Sequence, residues 1–294
     1  MRLALLLAGL LLAFVAPAEA RMHAPYRGHR IVSTGAAPLD GFTQPSGAYS
    51  FRKLRSAYAG PAIRIRRASD NAELDIGFLG FTGFTGAPWD AAAAAAHCAS
   101  TTCSVVTMYD QSGNGRHLTQ ATPASQPGLV FNCIGTLPCM QALVGAQSLL
   151  VAGTFSPATG IVSLNAIARR ITGTGGCTLF RQNAVGNRIL MGAGVANQWQ
   201  SFGGTAGTIN ATATDAVWHT AIAVMNGASS VFGIDGTEVT GSQTGSTTAG
   251  QTLAFSGSGT ATCAYAEAVH WDNYALTGAE RTAWVNNQRS FWGF

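Results

Sequence analysis

The sequence predicts an all-β fold, a sandwich or jelly roll with a few short helices. Three observations carry that prediction. Charged residues make up 10% of the chain while glycine numbers 36, which suits short strands and turns rather than long surface helices. From residue 161 onward, short strand-like runs follow one another with turn signals between them. Helical signals are brief and isolated, which argues for stacked sheets.

Residues 1–20 read as a secretory signal peptide. Arg2 supplies the positive start, Leu3 to Val15 the apolar stretch, and Ala18-Glu19-Ala20 a small-residue cleavage site. The apolar run is short for a membrane span and ends at Pro17. No other stretch reaches transmembrane length, so the mature chain is expected to be exported, periplasmic or extracellular. Removing 20 of 294 residues leaves 274, within the range of one large all-β domain. Residues 21–45, rich in Gly, Ala and Pro, read as a leader or linker, and 46–294 as a single domain without a fixed-period repeat.

Ser50 to Tyr58 has the pattern of a short helix, and Ala62 to Arg66 alternates as a strand does. Asp90 is a natural N-cap for a helix over Ala91–Ala96. Ser104 to Tyr109 is a β-rich run ending in the turn former Asp110-Gln111-Ser112-Gly113-Asn114-Gly115. Later strands are expected at Ile161–Ala168, Arg188–Gly192, Ala216–Met225 and Ser230–Ile234. Asp235-Gly236 is a hairpin signal between Phe232–Ile234 and Thr237–Val239. Thr277-x-x-Glu280 is a capping box that opens a terminal helix running through Arg289.

The six cysteines all follow the signal segment, and an even count in an exported chain implies disulfides. Spacing favours Cys98–Cys103 and Cys133–Cys139, leaving Cys177 for Cys263. No Cys/His grouping has metal-site spacing, so no metal and no cofactor is expected. The Asp110-x-Ser112-x-Asn114-Gly115 string imitates the start of a calcium loop, but the twelfth position, which needs a bidentate Glu, is Ala121. The net charge is +4, and residues 21–67 hold nine basic residues against the single acid Asp40. A solvated Arg-rich face accounts for this most simply; attraction of anionic cell-wall or uronic-acid polymers is the alternative. No nucleic-acid motif is present.

Tyr58-Ala59-Gly60-Pro61, Ile65 to Asp70, Cys98 to Cys103, Tyr109 to Gly115 and His117-Leu118-Thr119-Gln120 occur in order. Together they resemble the catalytic domain of alpha-L-arabinofuranosidase B, glycoside hydrolase family 54, over residues 50–125. The resemblance implies a concanavalin A-like jelly roll and cleavage of terminal arabinofuranosyl groups from plant polysaccharides with retention. Trp218-His219, Val224 to Gly227, Ile234-Asp235-Gly236 and Glu267-Ala268-Val269 make the C-terminal part similar to laminin-G-like and other concanavalin A-like modules. That similarity speaks for fold alone.

Retaining hydrolysis uses two carboxyl groups about 5–5.5 Å apart. Thirteen acids less Glu19 leaves twelve, and none lies between Asp110 and Asp215. The resemblance implies a nucleophilic Glu in that middle region, beside an adjacent cysteine pair. Here Thr178 follows Cys177, and Asn187 to Gly192 carries no acid. The late acid/base Asp also has no counterpart in Gly257-Ser258-Gly259-Thr260. The substitutes to consider are Glu267, Asp272 and Asp110, each with a structural reading that outweighs the catalytic one. Among the six tryptophans, Trp199, flanked by Gln198 and Gln200, is the best candidate for an exposed sugar platform. Trp271 beside Asp272 and Asn114 in the turn are weaker substrate contacts. His219 and His97 enter no Ser-His-Asp set that spacing can assemble.

The functional expectation is a lectin-like module that recognises a polysaccharide or glycan without the family's catalytic pair. A diverged arabinofuranosidase using relocated carboxylates is one alternative, and a structural or adhesive envelope protein the other. An open cleft with two carboxyls about 5–10 Å apart favours the enzyme. An aromatic-lined cleft without such a pair favours the lectin.

Overall fold

The structure, a computed structural model, describes residues 36–80, 86–142, 148–155, 157–173, 175–181, 187–191, 196–204, 207–257 and 261–294. The expected signal peptide and residues 21–35 of the expected leader lie outside them. The described strands begin with β1 (Gly47–Ser50), β2 (Ile63–Arg67), β3 (Glu73–Ile76), β4 (Cys103–Met108), β5 (Leu118–Thr119) and β6 (Gly128–Ile134). They continue with β7 (Leu137–Ala142), β8 (Ser148–Phe155), β9 (Val162–Thr172), β10 (Cys177–Arg181), β11 (Arg188–Met191) and β12 (Gln198–Phe202). The last are β13 (Thr208–Thr212), β14 (His219–Met225), β15 (Gly227–Ile234), β16 (Thr237–Gln243), β17 (Gln251–Gly257) and β18 (Thr262–Asp272). Two helices accompany them, α1 (Ala91–His97) and α2 (Gly278–Trp292).

Every pairing between these strands is antiparallel. One layer runs β16-β15-β14-β9-β18-β1. The other runs β13-β12-β11-β10-β17-β8-β5-β4-β2-β3. The β6-β7 hairpin bridges them, β7 pairing with β18 and β6 with β4. This is the all-β sandwich the composition predicts.

The central strands of the first layer are buried on both faces, so they read as near-continuous apolar runs rather than alternations. β14 is buried at every position, and β18 at every position up to Trp271. Ala221, Ala223 and Met225 of β14, with Leu164, Ala166 and Ala168 of β9, pack into the core that also holds Phe255, Leu149 and Ile189 of the second layer. Ile222 and Val224 point the other way, into a second cluster with Val269, Trp271, Leu276 and Trp284. Helix α2 and the segment from Leu39 to Leu54 cover that outer face.

Local signals hold where they act over a few residues. Asp90 accepts from Ala93 N and caps α1. Thr277 and Glu280 form the reciprocal capping box of α2, and Gly293 at φ +79° closes it in the left-handed region. Asp235 and Gly236 take φ +52° and +91° between β15 and β16, with Ile234 opposite Thr237. Positive φ at both central residues is what a two-residue hairpin turn of this kind demands.

Two expectations are corrected. Residues Ser50 to Tyr58 form no helix, because their backbone is claimed by distant partners. Lys53 N donates to Ala87 O, Leu54 N to Gln111 Oε1, and Gln111 Nε2 donates back to Ser50 O and Arg52 O. Residues 37–45 are no free linker either. Leu39 is fully buried, Phe42 packs against Trp271 and Trp284, and Thr43 O accepts from Trp271 Nε1. The packed domain therefore includes residues ahead of 46, from Ala37 among those described.

The disulfides are Cys98–Cys103, Cys133–Cys139 and Cys177–Cys263, with separations of 5, 6 and 86 residues. The third ties β10 in the second layer to β18 in the first. In the chain-entropy model its loop contributes about 4.6 kcal/mol, against about 2 kcal/mol for either local bridge. Denaturant unfolding of the Cys177→Ala/Cys263→Ala protein is therefore expected to show the larger loss. An equal or smaller loss than the Cys98→Ala/Cys103→Ala protein would refute the entropic account here.

Candidate functional site

Glu267, the foremost late carboxylate, lies on the outer face of β18 beneath α2. It is fully buried, and Arg52, also fully buried, meets it with Nε and Nη2 at 2.7 and 2.9 Å. Ser50 Oγ donates at 2.7 Å, Gln288 Nε2 at 2.9 Å and Trp292 Nε1 at 3.3 Å. Five donors fill its two oxygens, leaving no approach for a sugar.

Asp110 is equally committed. Ala48 N and Ser112 N donate to Oδ1, Ser112 Oγ and Arg116 N to Oδ2. This is an Asp-initiated turn reaching across to β1. Asn114 Nδ2 donates to Pro45 O, Ser46 O and Ser112 Oγ, clamping the same junction. Asp272 lies 3.0 Å from the buried His270 Nε2, and its backbone N–H donates to Ser46 Oγ.

Trp199 is fully buried rather than an exposed platform. In β12 the burial alternates, so Gln198 and Gln200 lean outward and Trp199 and Ser201 inward; flanking glutamines mark the opposite face of a strand, not the exposure of the residue between them. Trp271 is also buried, its Nε1 used by Thr43 O. The candidates are thus not brought together in a cleft, and most of them hold the fold.

The stretches in which the family resemblance would put its catalytic acids lie partly outside the described residues, namely 182–186, 192–195 and 258–260. All twelve acids after the signal segment are described. Besides those above, Asp215 pairs with Arg170 and Asp235 with His219. Glu238 pairs with Arg281 and Asp70 with Arg67. Asp40, Asp90 and Glu280 accept backbone N–H groups at turns or helix starts. Glu73 and Asp75 remain, on one face of β3 and both beside Arg64.

Asp75 lines an open cleft of about 590 Å³ whose wall includes Lys53, Tyr58, Pro61, Phe78 and Leu79. The Tyr58 and Phe78 rings meet edge to face, 6.3 Å apart, and Tyr58 Oη donates to Pro61 O at 2.8 Å. Leu79 is 49% exposed. Arg64 holds Asp75 bidentately at 2.8 Å on both oxygens, and Tyr109 Oη donates at 2.7 Å. The Arg64 hydrogen bond, outweighing burial and assisted by Tyr109, holds the Asp75 carboxyl below its usual range. Burial, with the hydrogen bond to Asp75, pushes the Tyr109 phenol up to about 12. The cleft thus offers an aromatic and aliphatic wall, an ionised carboxylate and an ammonium. In the sequence Tyr58 to Pro61 carry the family resemblance and give no sign of a cleft. The signal for the cleft was Phe78-Leu79 between Gly77 and Gly80, a large apolar pair in a turn-rich stretch with no alternation to bury it.

A second polar cluster lies at the start of β14. His219 Nδ1 is 2.6 Å from Asp235 Oδ2 and Nε2 is 2.8 Å from Thr214 O. Both ring nitrogens face acceptors, an arrangement that the protonated, doubly donating ring satisfies in full. Burial opposes that charge, but Asp235, Thr214 O and Asp215 together raise the His219 pKa.

Comparison with known proteins bears on the same residues. Residues 40–137 match the family described as alpha-L-arabinofuranosidase B, catalytic. The probable alpha-L-arabinofuranosidase B of Aspergillus terreus is 38% identical over 141 residues, covering 44% of this chain and 27% of that protein. The alpha-L-arabinofuranosidase of Hypocrea jecorina is 40% identical over 111 residues, 37% of this chain and 21% of that protein. The matched region thus spans about a quarter of those relatives' length. Among solved structures, a family 54 arabinofuranosidase soaked with a cyclic sulfate inhibitor superposes with a TM-score of 0.61 at 18% identity. An arabinofuranosidase complexed with arabinofuranosyl-alpha-1,2-xylobiose gives the same values, each match covering 83% of this chain and 62% of the other. At that identity the structural likeness speaks for the fold. The chain resembles the family 54 catalytic domain, in sequence over its N-terminal half and in architecture over most of its length.

Two consequences are measurable. Glu267→Gln is expected to destabilise the protein by about 3–5 kcal/mol, since it leaves the buried Arg52 without a counter-charge; unfolding in denaturant reads this, and unchanged stability would contradict the structural role. His219 has a folded pKa above its ordinary 6.5, so its stabilisation is fully present below that pH and is lost as pH rises through the folded value. The melting-temperature deficit of Asp235→Asn should accordingly be largest in mild acid and shrink at alkaline pH. A deficit independent of pH would rule out the imidazolium.

Proposed function

We propose that this chain is an exported, arabinofuranosidase B-like carbohydrate-active domain that acts on arabinose-containing glycans. One observation carries the reading: the match over residues 40–137 to an arabinofuranosidase catalytic family, in a chain whose fold is that of such enzymes. Three disulfides suit a protein that works in an oxidising compartment, and no described helix is long and apolar enough to cross a membrane.

In this reading hydrolysis uses relocated carboxylates. Glu73 and Asp75 are the pair best placed for it, alternate residues on one face of β3, with Asp75 in the cleft wall. Asp75 is held ionised, the state a nucleophile or base requires. Glu73 lies 3.9 Å from Arg64 and is 40% exposed at its side chain, the least constrained carboxylate after the signal segment.

Lectin-like recognition without cleavage is the second reading. A specific observation favours it: ten of the twelve carboxylates accept hydrogen bonds, Asp272 lies 3.0 Å from His270 Nε2, and Asp75 itself is held bidentately by Arg64. Stabilising the anion that firmly costs nucleophilicity.

Incubation with arabinan, arabinoxylan and an aryl arabinofuranoside separates the readings. The hydrolase reading expects arabinose release, abolished by Asp75→Asn and by Glu73→Gln while the melting temperature stays unchanged. Binding of these glycans without release supports the lectin. Absence of both binding and release would leave a structural envelope role.

A further inference from the structure

Lys53, in the segment between β1 and β2, lines the cleft, and among the described residues it forms no ion pair with a carboxylate. The other cations near it are largely spoken for. Arg52 is turned inward onto Glu267, Arg64 is bound to Asp75, and Arg67 to Asp70. The one carboxylate in the wall, Asp75, has its charge answered by the Arg64 fork and the Tyr109 hydroxyl. Glu73 stands farther along β3 at 3.9 Å from the same guanidinium. Lys53 is thus the cleft-lining cation left without a carboxylate partner among the described residues. Around it the wall is a carbohydrate-type surface: the Tyr58 and Phe78 rings, and the aliphatic faces of Pro61 and Leu79. Flat aromatic faces take the C–H side of a sugar ring, while a few convergent polar groups fix its orientation.

We propose that this cleft is a binding site for a uronic acid residue of an acidic glycan, with Lys53 pairing with the sugar carboxylate and Tyr58 and Phe78 carrying the ring. The inference deepens the glycan reading above, on which it rests, by giving it a place and a charge preference. Gly77 forms part of the wall, and a Cβ built there meets nothing within 4 Å. The cleft wall therefore has room at this position for a Cβ, and a larger side chain there tests whether the wall is the binding surface.

The test is calorimetric titration of the full chain with trigalacturonic acid, its methyl ester and arabinotriose. The acid is expected to bind about two- to fivefold more tightly than the ester, the size of one partly exposed ion pair. Its affinity should fall with added salt while the ester's does not. Lys53→Gln should equalise acid and ester, Lys53→Arg should keep the preference, and Gly77→Leu should weaken both ligands at unchanged melting temperature. Equal binding of acid and ester by the unaltered chain, or an acid preference that survives Lys53→Gln, overturns the proposal. Arabinotriose binding that persists while the acid fails to bind removes this site and leaves the glycan reading standing. Acid binding without arabinotriose binding or arabinose release does the reverse.

Discussion

The Arg52 guanidinium and the Glu267 carboxylate meet in the layer between the central sheet and α2, both fully buried. Removing two charges from water is expensive, and such a pair is tolerated only when the remaining donors and acceptors are also answered. Here they are. Arg52 Nη1 reaches Asn287 Oδ1, its plane lies over Phe291, and Ser50, Gln288 and Trp292 complete the carboxylate shell. Gln288 passes the network on to Asn165 of β9, whose Nδ2 reaches Thr220 and Ala221 of β14. Trp284 Nε1 donates to Asn165 Oδ1 as well. One polar cluster thus fixes α2 against β1, β9, β14 and β18, and the apolar burial of Trp284 and Trp271 forms around it.

That arrangement settles how the outer face of the sheet is used. Strands buried on both sides need a cover on each, and the second cover is the C-terminal helix together with the chain from Ala37 to Leu54. The Asp110 turn finishes the job from the opposite end of the sequence, with Gln111 supplying the backbone of residues 50–54 and Asn114 that of residues 45–46. The Asp110–Gly115 motif, which lies within the arabinofuranosidase-like region, is therefore a structural splice. It joins the N-terminal segment to the sheet, and that contact accounts for its residue types.

A chain with so few acids spends nearly all of them on such splices, caps and ion pairs. The consequence for function is geometric. Carboxylates that could act on a sugar must stand at an open surface: Glu73 and Asp75 share the β3 face beside the Tyr58–Phe78 wall, while Asp235 and Glu238 line a second pocket but are paired with His219 and Arg281. The similarity to arabinofuranosidases is strongest over residues 40–137, the same part of the chain that builds this cleft. Past Cys177 the architecture continues, and no Asp or Glu lies between Asp110 and Asp215. The Cys177–Cys263 bridge between the layers remains.

What the sequence by itself determined is whatever depends on neighbours a few residues away. Asp235-Gly236 forces a hairpin because both residues accept positive φ; Thr277 and Glu280 satisfy each other's backbone; Asp90 caps α1; and the spacing of two cysteine pairs favours local bridges. The all-β class follows from the sum of such signals. Tertiary structure alone decided which face of each element meets which partner. Trp199 turns inward although two glutamines flank it, because the second layer packs on that side of β12. Ser50 to Tyr58 forgoes a helix because Gln111 and Ala87 take its backbone, and Glu267 is buried because α2 folds over it. The cleft was invisible for the same reason: Lys53, Tyr58, Asp75 and Phe78 belong to separate segments, and only the pairing of β2 with β3 brings them to one surface.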